Sequence, residues 1–163
     1  MKASYKILLG FYLTMLLWLV LFKFSFDIVA VIEHHQTRIL NLIPFTGLSR
    51  SNVRETIENV IVFIPLGLLF AINGTHTSFW RKLGVIGAIS LAVEILQFIF
   101  GIGISDITDF ITNTVGGLIG LSLYEFGSKH MDKKILKRCI AGVIVVILAV
   151  ILFLRLFMVR VRY

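Results

Sequence analysis

Long apolar runs alternate with polar segments along the chain, and this alternation predicts helices that cross a membrane. A helix that crosses the bilayer core needs about 20 apolar residues, because it rises about 1.5 Å per residue. We expect spans at 5–22, at 59–72 with a start near Val53, at 83–100, at 106–124 and at 139–157. The pattern therefore predicts an all-α integral membrane protein, a compact bundle of about five transmembrane helices.

The segments between these spans indicate how the bundle is connected. Residues 27–58 form a long polar stretch whose apolar patches, DIVAVIE and RILNLIPF, are too short to span. We therefore predict an interfacial or re-entrant segment after the first helix. Short loops are expected at 73–82 and 129–138. Gly101 and Gly103 are expected to end the third helix before the fourth span begins. The first run exceeds a signal-peptide core and lacks a small-x-small cleavage site, so a retained helix is predicted. The length suits one compact bundle, a single domain over 1–163.

Composition strengthens the membrane interpretation. The chain has 163 residues, of which 58% are hydrophobic and 15% charged, and its formal net charge is +7. A soluble domain of this size could not bury so much apolar surface. The basic residues flank apolar runs, which is typical of membrane orientation and not of a nucleic-acid-binding face. Cys139 is the single cysteine, so an internal disulfide is excluded.

The distribution of basic residues predicts the orientation in the membrane. With five spans, the side of the N-terminus collects nine basic residues: Lys2, Lys6, Arg81, Lys82, Lys129, Lys133, Lys134, Lys137 and Arg138. The other side collects seven: Lys23, Arg38, Arg50, Arg54, Arg155, Arg160 and Arg162. The clusters in short loops, at 81–82 and 129–138, favour a cytoplasmic N-terminus and a C-terminus outside.

A polar face runs along the third span. Glu94 lies in its middle, and Ser90 and Gln97 share its helix face. A carboxylate facing lipid would cost several kcal/mol, about 2.5–3.5 on insertion scales, so Glu94 must face protein or water. It could be a proton site, a general acid or base, or a substrate contact. The alternative is a hydrogen bond that joins two helices.

A second polar face lies in the stretch GIGISDITDFITNTVGG, residues 101–117. On a helix, Asp106, Asp109 and Asn113 share one face, with small residues deeper on the same face: Gly116, Gly117 and Gly120. Asp106 could be an N-cap that accepts the amide hydrogen of Asp109, and Asp109 would suit the first turn of the helix dipole. Capping explains Asp106 but hardly Asn113, so a membrane-buried polar site is predicted. The Gly-x-x-x-Gly spacing permits close helix approach.

Other residues carry weaker signals. Asn59 could cap the second span or reach inward towards Glu94 and Asp106, and sequence leaves both open. His34 and His35 are adjacent, and adjacent side chains in a helical or extended segment are expected to point different ways. No zinc spacing, phosphate loop or Ser-His-Asp order is present. Neither a metal nor a cofactor is predicted. Pro65 and Gly67 indicate a kink or a close helix contact in the second span.

Several segments resemble the VanZ-like family of bacterial membrane proteins, from about Tyr12 to past Lys134: LNLIPFTG, ENVIVFIPLGLLF, EILQFIFGIGISDITDFITNTVGGLIGLSLY and SKHMDKK. The residues that match the family's short elements are Asn41, Pro44 and Phe45; Asn59, Phe63, Pro65 and Gly67; Glu94 and Gln97; and Asp106, Asp109, Asn113, Thr114 and Gly116. Family members often carry an Arg shortly before the first of these aspartates, and this chain has none there.

The resemblance implies a multi-pass protein of the bacterial cell membrane that gives resistance to teicoplanin, with little or no effect on vancomycin. It implies no established reaction. Teicoplanin carries a fatty acyl tail, so binding or alteration of a lipid, a lipid-linked cell-wall precursor or the lipoglycopeptide at the outer surface is the first hypothesis. An intramembrane carboxylate-dependent hydrolase or transferase is the second, and a small proton-coupled transporter the third. The oligomeric state is left open.

The candidate residues divide into three groups. The candidate catalytic groups are Glu94, Asp106 and Asp109. The candidate ligand contacts are Asn59, Glu94, Gln97, Asp106, Asp109 and Asn113. The residues expected to shape the backbone are Asn41, Pro44, Pro65, Gly67, Gly116, Gly117 and Gly120.

Overall fold

Five helices and two short strands make up the described part of the protein. A computed structural model describes residues 2–21, 39–45, 50–101 and 104–161. The helices are α1 (Lys2–Leu21), α2 (Arg50–Asn73), α3 (Phe79–Phe100), α4 (Ile107–His130) and α5 (Lys133–Val161). The strands are β1 (Ile39–Asn41) and β2 (Ile104–Asp106). The predicted helical membrane bundle is confirmed.

Four of these helices are long and apolar enough to cross a membrane: Ala3–Leu21, Val53–Asn73, Phe79–Phe100 and Lys133–Phe153. Helix α4 is as long as α2, with 24 residues, but from Thr108 to Gly120 the buried residues on it are all polar or glycine. Such a face suits a helix that packs against protein, because hydrocarbon cannot satisfy polar groups. Helix α4 therefore buries this face against protein, most extensively against α2.

The helix ends differ from the sequence prediction. Helix α4 continues to His130 instead of ending at 124, and α5 begins at Lys133 instead of Cys139, so the predicted loop 129–138 shrinks to Met131 and Asp132. Helices α2 and α3 likewise begin earlier, at Arg50 and Phe79. Lys and Arg are good helix formers, so a helix continues past the apolar run into the interface. Hydropathy marks the hydrocarbon boundary and not the end of the helix.

The long segment after α1 is only partly described. Residues 22–38 and 46–49 lie outside the described residues, so the predicted interfacial or re-entrant placement stays a prediction there. The described parts correct it in two places: 39–41 form strand β1, and 50–58 belong to α2. Pro44 lies in the turn that follows β1, and the next residue, Phe45, has a left-handed backbone with φ 57°.

Glycines allow α2 and α4 to pack backbone against backbone. A Cβ atom at Gly116 or Gly120 would collide with the carbonyl oxygens of Val60 and Ile64 on α2. A Cβ atom at Gly67 would collide with the carbonyl oxygen of Gly117. The predicted close approach at the Gly-x-x-x-Gly spacing and at Gly67 is therefore present. Pro65 lies inside α2, between Ile64 and Gly67, which make these contacts.

Two side-chain contacts define the two ends of the bundle. Asn73 at the end of α2 donates to the carbonyl oxygen of Tyr5 at 3.1 Å, which places the start of α1 beside the end of α2. Gln97 near the end of α3 donates to the carbonyl oxygen of Val20 at 3.0 Å, which joins the ends of α1 and α3. We call the first the basic end, because the nine basic residues listed above lie there, and the second the carboxylate end.

A two-stranded parallel sheet closes the carboxylate end. Strand β1 pairs with β2 in a register that sets Leu40 opposite Ser105 and Asn41 opposite Asp106. The hydropathy pattern predicted no strand here, since three residues are too few to show a period of two. The pair matters because it carries Asn41 and Asp106 to the start of α4 together.

Candidate functional site

Glu94 attaches α3 to strand β2. Its carboxylate atom Oε2 accepts the backbone N–H of Asp106 at 2.9 Å and lies 3.1 Å from the Ser105 hydroxyl. That hydroxyl is also 3.0 Å from the Glu94 carbonyl oxygen. Glu94 is 5% exposed and Ser105 4%, so these bonds form away from water. Glu94 therefore faces protein, as its cost in lipid requires.

Asp106 ends β2 and caps α4. Its Oδ1 atom accepts the backbone N–H of Thr108 at 2.7 Å, and its Oδ2 atom accepts the side-chain amide of Asn41 at 3.0 Å. The predicted capping role is present, but its predicted partner, the amide of Asp109, is wrong. A carboxylate on an extended residue reaches the amide two positions ahead most directly, in an Asx turn.

Asn41 and Thr108 hold the chain after β1 over the start of α4. The Asn41 side-chain oxygen accepts the N–H of Ile43 at 3.2 Å, and the Thr108 hydroxyl accepts the N–H of Phe45 at 3.0 Å. Sequence analysis singled out Asn41 as structural but missed Thr108 and Ser105. Both residues lie within two positions of the capping Asp106, and this could have identified them, since hydroxyl side chains often bond to the backbone in the same turn as a cap.

Asn59 and Asp109 form a buried pair between α2 and α4. The Asn59 side-chain amide donates to Asp109 Oδ1 at 2.8 Å, and both residues are less than a tenth exposed. Asn59 lies inside α2, which begins at Arg50, so it is not the cap of that helix. Of the two alternatives left open, the inward orientation holds, and the partner is Asp109.

Asn113 and Gln97 extend the polar cluster in two directions. Asn113 donates to the Ser90 hydroxyl at 3.1 Å, which joins α4 to α3, whereas Gln97 bonds to α1 at Val20 and not to the aspartates. Asn113 Oδ1 and Gln97 Oε1 are buried without a hydrogen-bond partner among the described residues. A buried acceptor without a hydrogen bond lowers the stability of the fold by about 1–3 kcal/mol. A water molecule or a bound molecule that donates to each oxygen would remove this cost.

The site as a whole gathers carboxylates and amides from three helices and both strands. Glu94, Asp106 and Asp109 are joined through β2 and the first turn of α4, with Asn59 beside them. Among the described residues, no group of three His, Cys, Asp or Glu side chains could hold a metal ion. His34 and His35 lie outside the described residues. The arrangement is rich in hydrogen-bond acceptors, which favours ligand groups that donate.

The fold and the site define a helical multi-span membrane protein with a buried carboxylate–amide cluster at one end of the bundle. The profile of the VanZ/LLP1 family matches residues 9–128. Protein VanZ of Enterococcus faecium is 50% identical over 148 residues, which cover 91% of this chain and 90% of that protein. The chain belongs to the VanZ/LLP1 family, as its motifs predicted. No solved structure matches the chain.

Proposed function

We propose that this protein confers resistance to teicoplanin by binding a lipid or a lipid-linked cell-wall component at the outer membrane surface. The resemblance to the VanZ-like family suggests the phenotype, and the buried polar cluster suggests the binding site. Binding would alter how the acylated antibiotic engages its target at that surface. Vancomycin, which lacks the acyl tail, would be little affected.

The observation that carries this proposal is the joined set of Glu94, Asp106, Asp109 and Asn59 at one end of the bundle. Intramembrane ionisable groups are expensive and point to function by default. Carboxylate oxygens accept hydrogen bonds, so they suit sugar hydroxyls, amides or an ammonium group and disfavour a bare phosphate. A head group with such donors, as in a lipid-linked wall precursor, fits this chemistry.

Exposed apolar residues beside the cluster support an amphiphilic ligand. Leu40, Leu42, Ile43 and Phe45 are each more than half exposed, and they lie on β1 and the turn that follows it. This turn is held against Thr108, two residues after Asp106. A polar cluster beside an apolar surface matches a molecule with a polar head and an acyl chain.

Carboxamide variants test the proposal. We expect Glu94→Gln, Asp106→Asn and Asp109→Asn to lower teicoplanin resistance roughly tenfold each, the loss that follows from weakening one charge-assisted hydrogen bond. Vancomycin susceptibility should not change. Teicoplanin and vancomycin susceptibilities are measured at matched membrane levels of each variant.

Asp132→Asn is the matched control, because it makes the same charge change on an exposed carboxyl at the basic end. It should keep full resistance. Full teicoplanin resistance in all three carboxamide variants would mean that the cluster is structural, and the proposed site would be wrong.

A carboxylate-dependent enzyme is the second candidate, and one observation favours it. The Ser105 hydroxyl lies 3.1 Å from Glu94 Oε2, a nucleophile–base distance. The same hydroxyl and the Asp106 amide also attach β2 to α3, so the contact has a structural role as well. Ser105→Ala separates the two. An enzyme would lose turnover of radiolabelled lipid-linked precursor in membrane vesicles, whereas a binding protein would show no turnover in either form.

The transport hypothesis stays a prediction with its own test. A proton-coupled transporter would move a substrate or protons across a sealed vesicle in response to an imposed pH difference. Abolition of that flux by Glu94→Gln, with insertion unchanged, would favour transport over binding.

A further inference from the structure

A second polar site lies at the basic end, far from the carboxylates. A cavity of about 380 Å³ is formed there by the turn between α2 and α3, the first turns of α3 and α5, and the last turns of α4. On α4, Tyr124 in its wall lies 15 residues after Asp109, about 22 Å along the helix axis at 1.5 Å per residue. The cavity is therefore not part of the site described above.

The charge of the cavity is positive. Three lysines and one glutamate line it, Lys82, Lys133, Lys137 and Glu125, so the lining carries a formal charge of 3 − 1 = +2. Lys82 and Lys137 are half-buried, and Lys137 Nζ lies 3.4 Å from the carbonyl oxygen of Ile72. Partly desolvated ammonium groups attract an anion more strongly than fully exposed ones.

Neutral donors accompany the lysines. Thr75, Thr77 and Ser78 line the cavity from the turn before α3, Tyr124 lines it from α4, and each of these side chains carries a hydroxyl group. Ser78 Oγ caps α3 by accepting the N–H of Arg81 at 3.4 Å, which leaves its own hydrogen available to donate. A group of ammonium and hydroxyl donors suits the oxygen atoms of a phosphate group, which accept hydrogen bonds.

The location fits a membrane interface. Trp80, in the first turn of α3, is 74% exposed, and tryptophan is enriched at the level of the lipid head groups. The cavity wall also includes the apolar side chains of Ala71 and Leu121, which are buried in the bundle core. Polar and apolar side chains in one cavity at the membrane interface suit a lipid phosphate with the first part of its acyl region.

We propose that this cavity binds the phosphate group of an anionic phosphate ester, held by Lys82 and Lys137 with the hydroxyls of the α2–α3 turn. The phosphate could belong to a membrane lipid head group or to a soluble phosphate ester, because the same lysines and hydroxyls would bind either one. The site is independent of the teicoplanin proposal, because its wall on α4, at Tyr124, lies about 22 Å along the helix axis from Asp109.

Native mass spectrometry of the purified full chain tests this inference. The protein is released from nanodiscs of phosphatidylcholine with or without phosphatidylglycerol, with glycerol phosphate and inorganic phosphate as soluble competitors. We expect one phosphatidylglycerol per chain in preference to phosphatidylcholine. Lys82→Gln with Lys137→Gln should weaken this binding at least about tenfold, since two charge-assisted contacts are lost.

The matched control removes the same charge outside the cavity. Lys129→Gln with Lys134→Gln alters two exposed lysines at the same end and should retain the bound lipid. Lys82→Arg with Lys137→Arg should also retain it. Circular dichroism and gel filtration verify folding, and the two single Gln variants are scored if the double variant does not fold.

The possible outcomes distinguish the two sources of the phosphate and include the results that would overturn the inference. Bound lipid that resists millimolar glycerol phosphate assigns the cavity to a lipid, and direct binding of glycerol phosphate that displaces it assigns a soluble ester. Equal loss of lipid from both Gln double variants would overturn the inference, because it would indicate a diffuse basic surface. Absence of any 1:1 complex with either probe would also overturn it.

Discussion

Single buried polar residues decide how the helices at the carboxylate end join. Asn59 and Asp109 illustrate this, because both are less than a tenth exposed and their side chains bond to each other at 2.8 Å. A buried donor or acceptor that loses its partner costs more than the bond itself contributes. The pair therefore stabilises the α2–α4 contact whether or not it also binds a ligand.

A double-mutant cycle measures this pair. We expect Asn59→Ala and Asp109→Ala each to lower the free energy of unfolding by about 1–3 kcal/mol, with the double variant less destabilised than the sum by about 1 kcal/mol or more. Chemical unfolding in mixed micelles gives the free energies. Asn73→Ala is the control partner, since Asn73 bonds to Tyr5 at the other end and its effect should add to that of Asp109→Ala. Additivity in both cycles would contradict the pairing.

Asp132 shows a residue-scale effect that depends on pH. The backbone N–H groups of Ile135 and Lys134 bond to its carboxylate and hold the pKa of Asp132 below its ordinary value of 3.8. Because the folded pKa is lowered, the stabilisation is complete above pH 3.8 and is lost as the pH falls through the folded pKa.

We therefore expect Asp132→Ala to lower the melting temperature at neutral pH and to make no difference once the wild-type carboxyl is protonated. Thermal melts of both proteins across that range provide the measurement. An equal melting-temperature difference at every pH would show that the charge of the cap contributes nothing.

At the scale of elements, the contact between α2 and α4 depends on glycines, which have no side chain to keep the two backbones apart. Gly116 and Gly120 bring the two backbones together, and this closeness allows short side chains such as Asn59 to reach Asp109. Sequence spacing predicted the small-residue face of α4 but not the helix that occupies it. Many helix pairs could use the same face, so only packing selects α2.

Substitution at Gly120 tests this contact. Gly120→Ala places a Cβ atom against the backbone of Ile64 and Gly67, and we expect it to destabilise the fold by about 1–3 kcal/mol or more, as overpacking does. Gly84→Ala on α3 is the matched control, because nothing lies within 4 Å of its Cβ position. That control should be neutral or stabilising by about 0.5–1 kcal/mol. Similar melting temperatures for both variants would be evidence against close packing.

At the scale of the whole molecule, charge is divided between the two ends. In the part of the chain that the structure describes, the basic end has nine basic residues and two acidic ones, Glu125 and Asp132, whereas the site at the opposite end is built on carboxylates. The positive-inside rule then predicts a cytoplasmic basic end. The proposed action on teicoplanin requires the same orientation, since the antibiotic arrives from outside.

Cysteine labelling of intact cells tests the orientation. In a Cys139→Ser background, Leu42→Cys marks the carboxylate end and His76→Cys the basic end, and both positions are exposed. A membrane-impermeant maleimide should label the first in intact cells and the second only after permeabilisation. The reverse labelling pattern would show that the carboxylate end faces the cytoplasm, which would exclude a site at the outer surface.

The spans and the polar faces of this protein were predictable from its sequence. The length of an apolar run reflects the thickness of the hydrocarbon core, and a shared helix face follows from 3.6 residues per turn. These local rules identified Glu94 as facing protein and grouped Asp109 with Asn113. They overestimated the loops, because helices continue beyond the hydrocarbon into charged sequence such as 133–138.

By itself, the sequence determined that this is a helical membrane protein, that certain polar groups must be buried, and that α4 has a small-residue face. Only the tertiary structure decided the partners: Asn41 with Asp106, Asn59 with Asp109 and β2 with Glu94. A buried polar group must have a partner, and local periodicity states this need without naming the partner. The partner is chosen by the packing of elements distant in sequence, which depends on all the contacts of the bundle together.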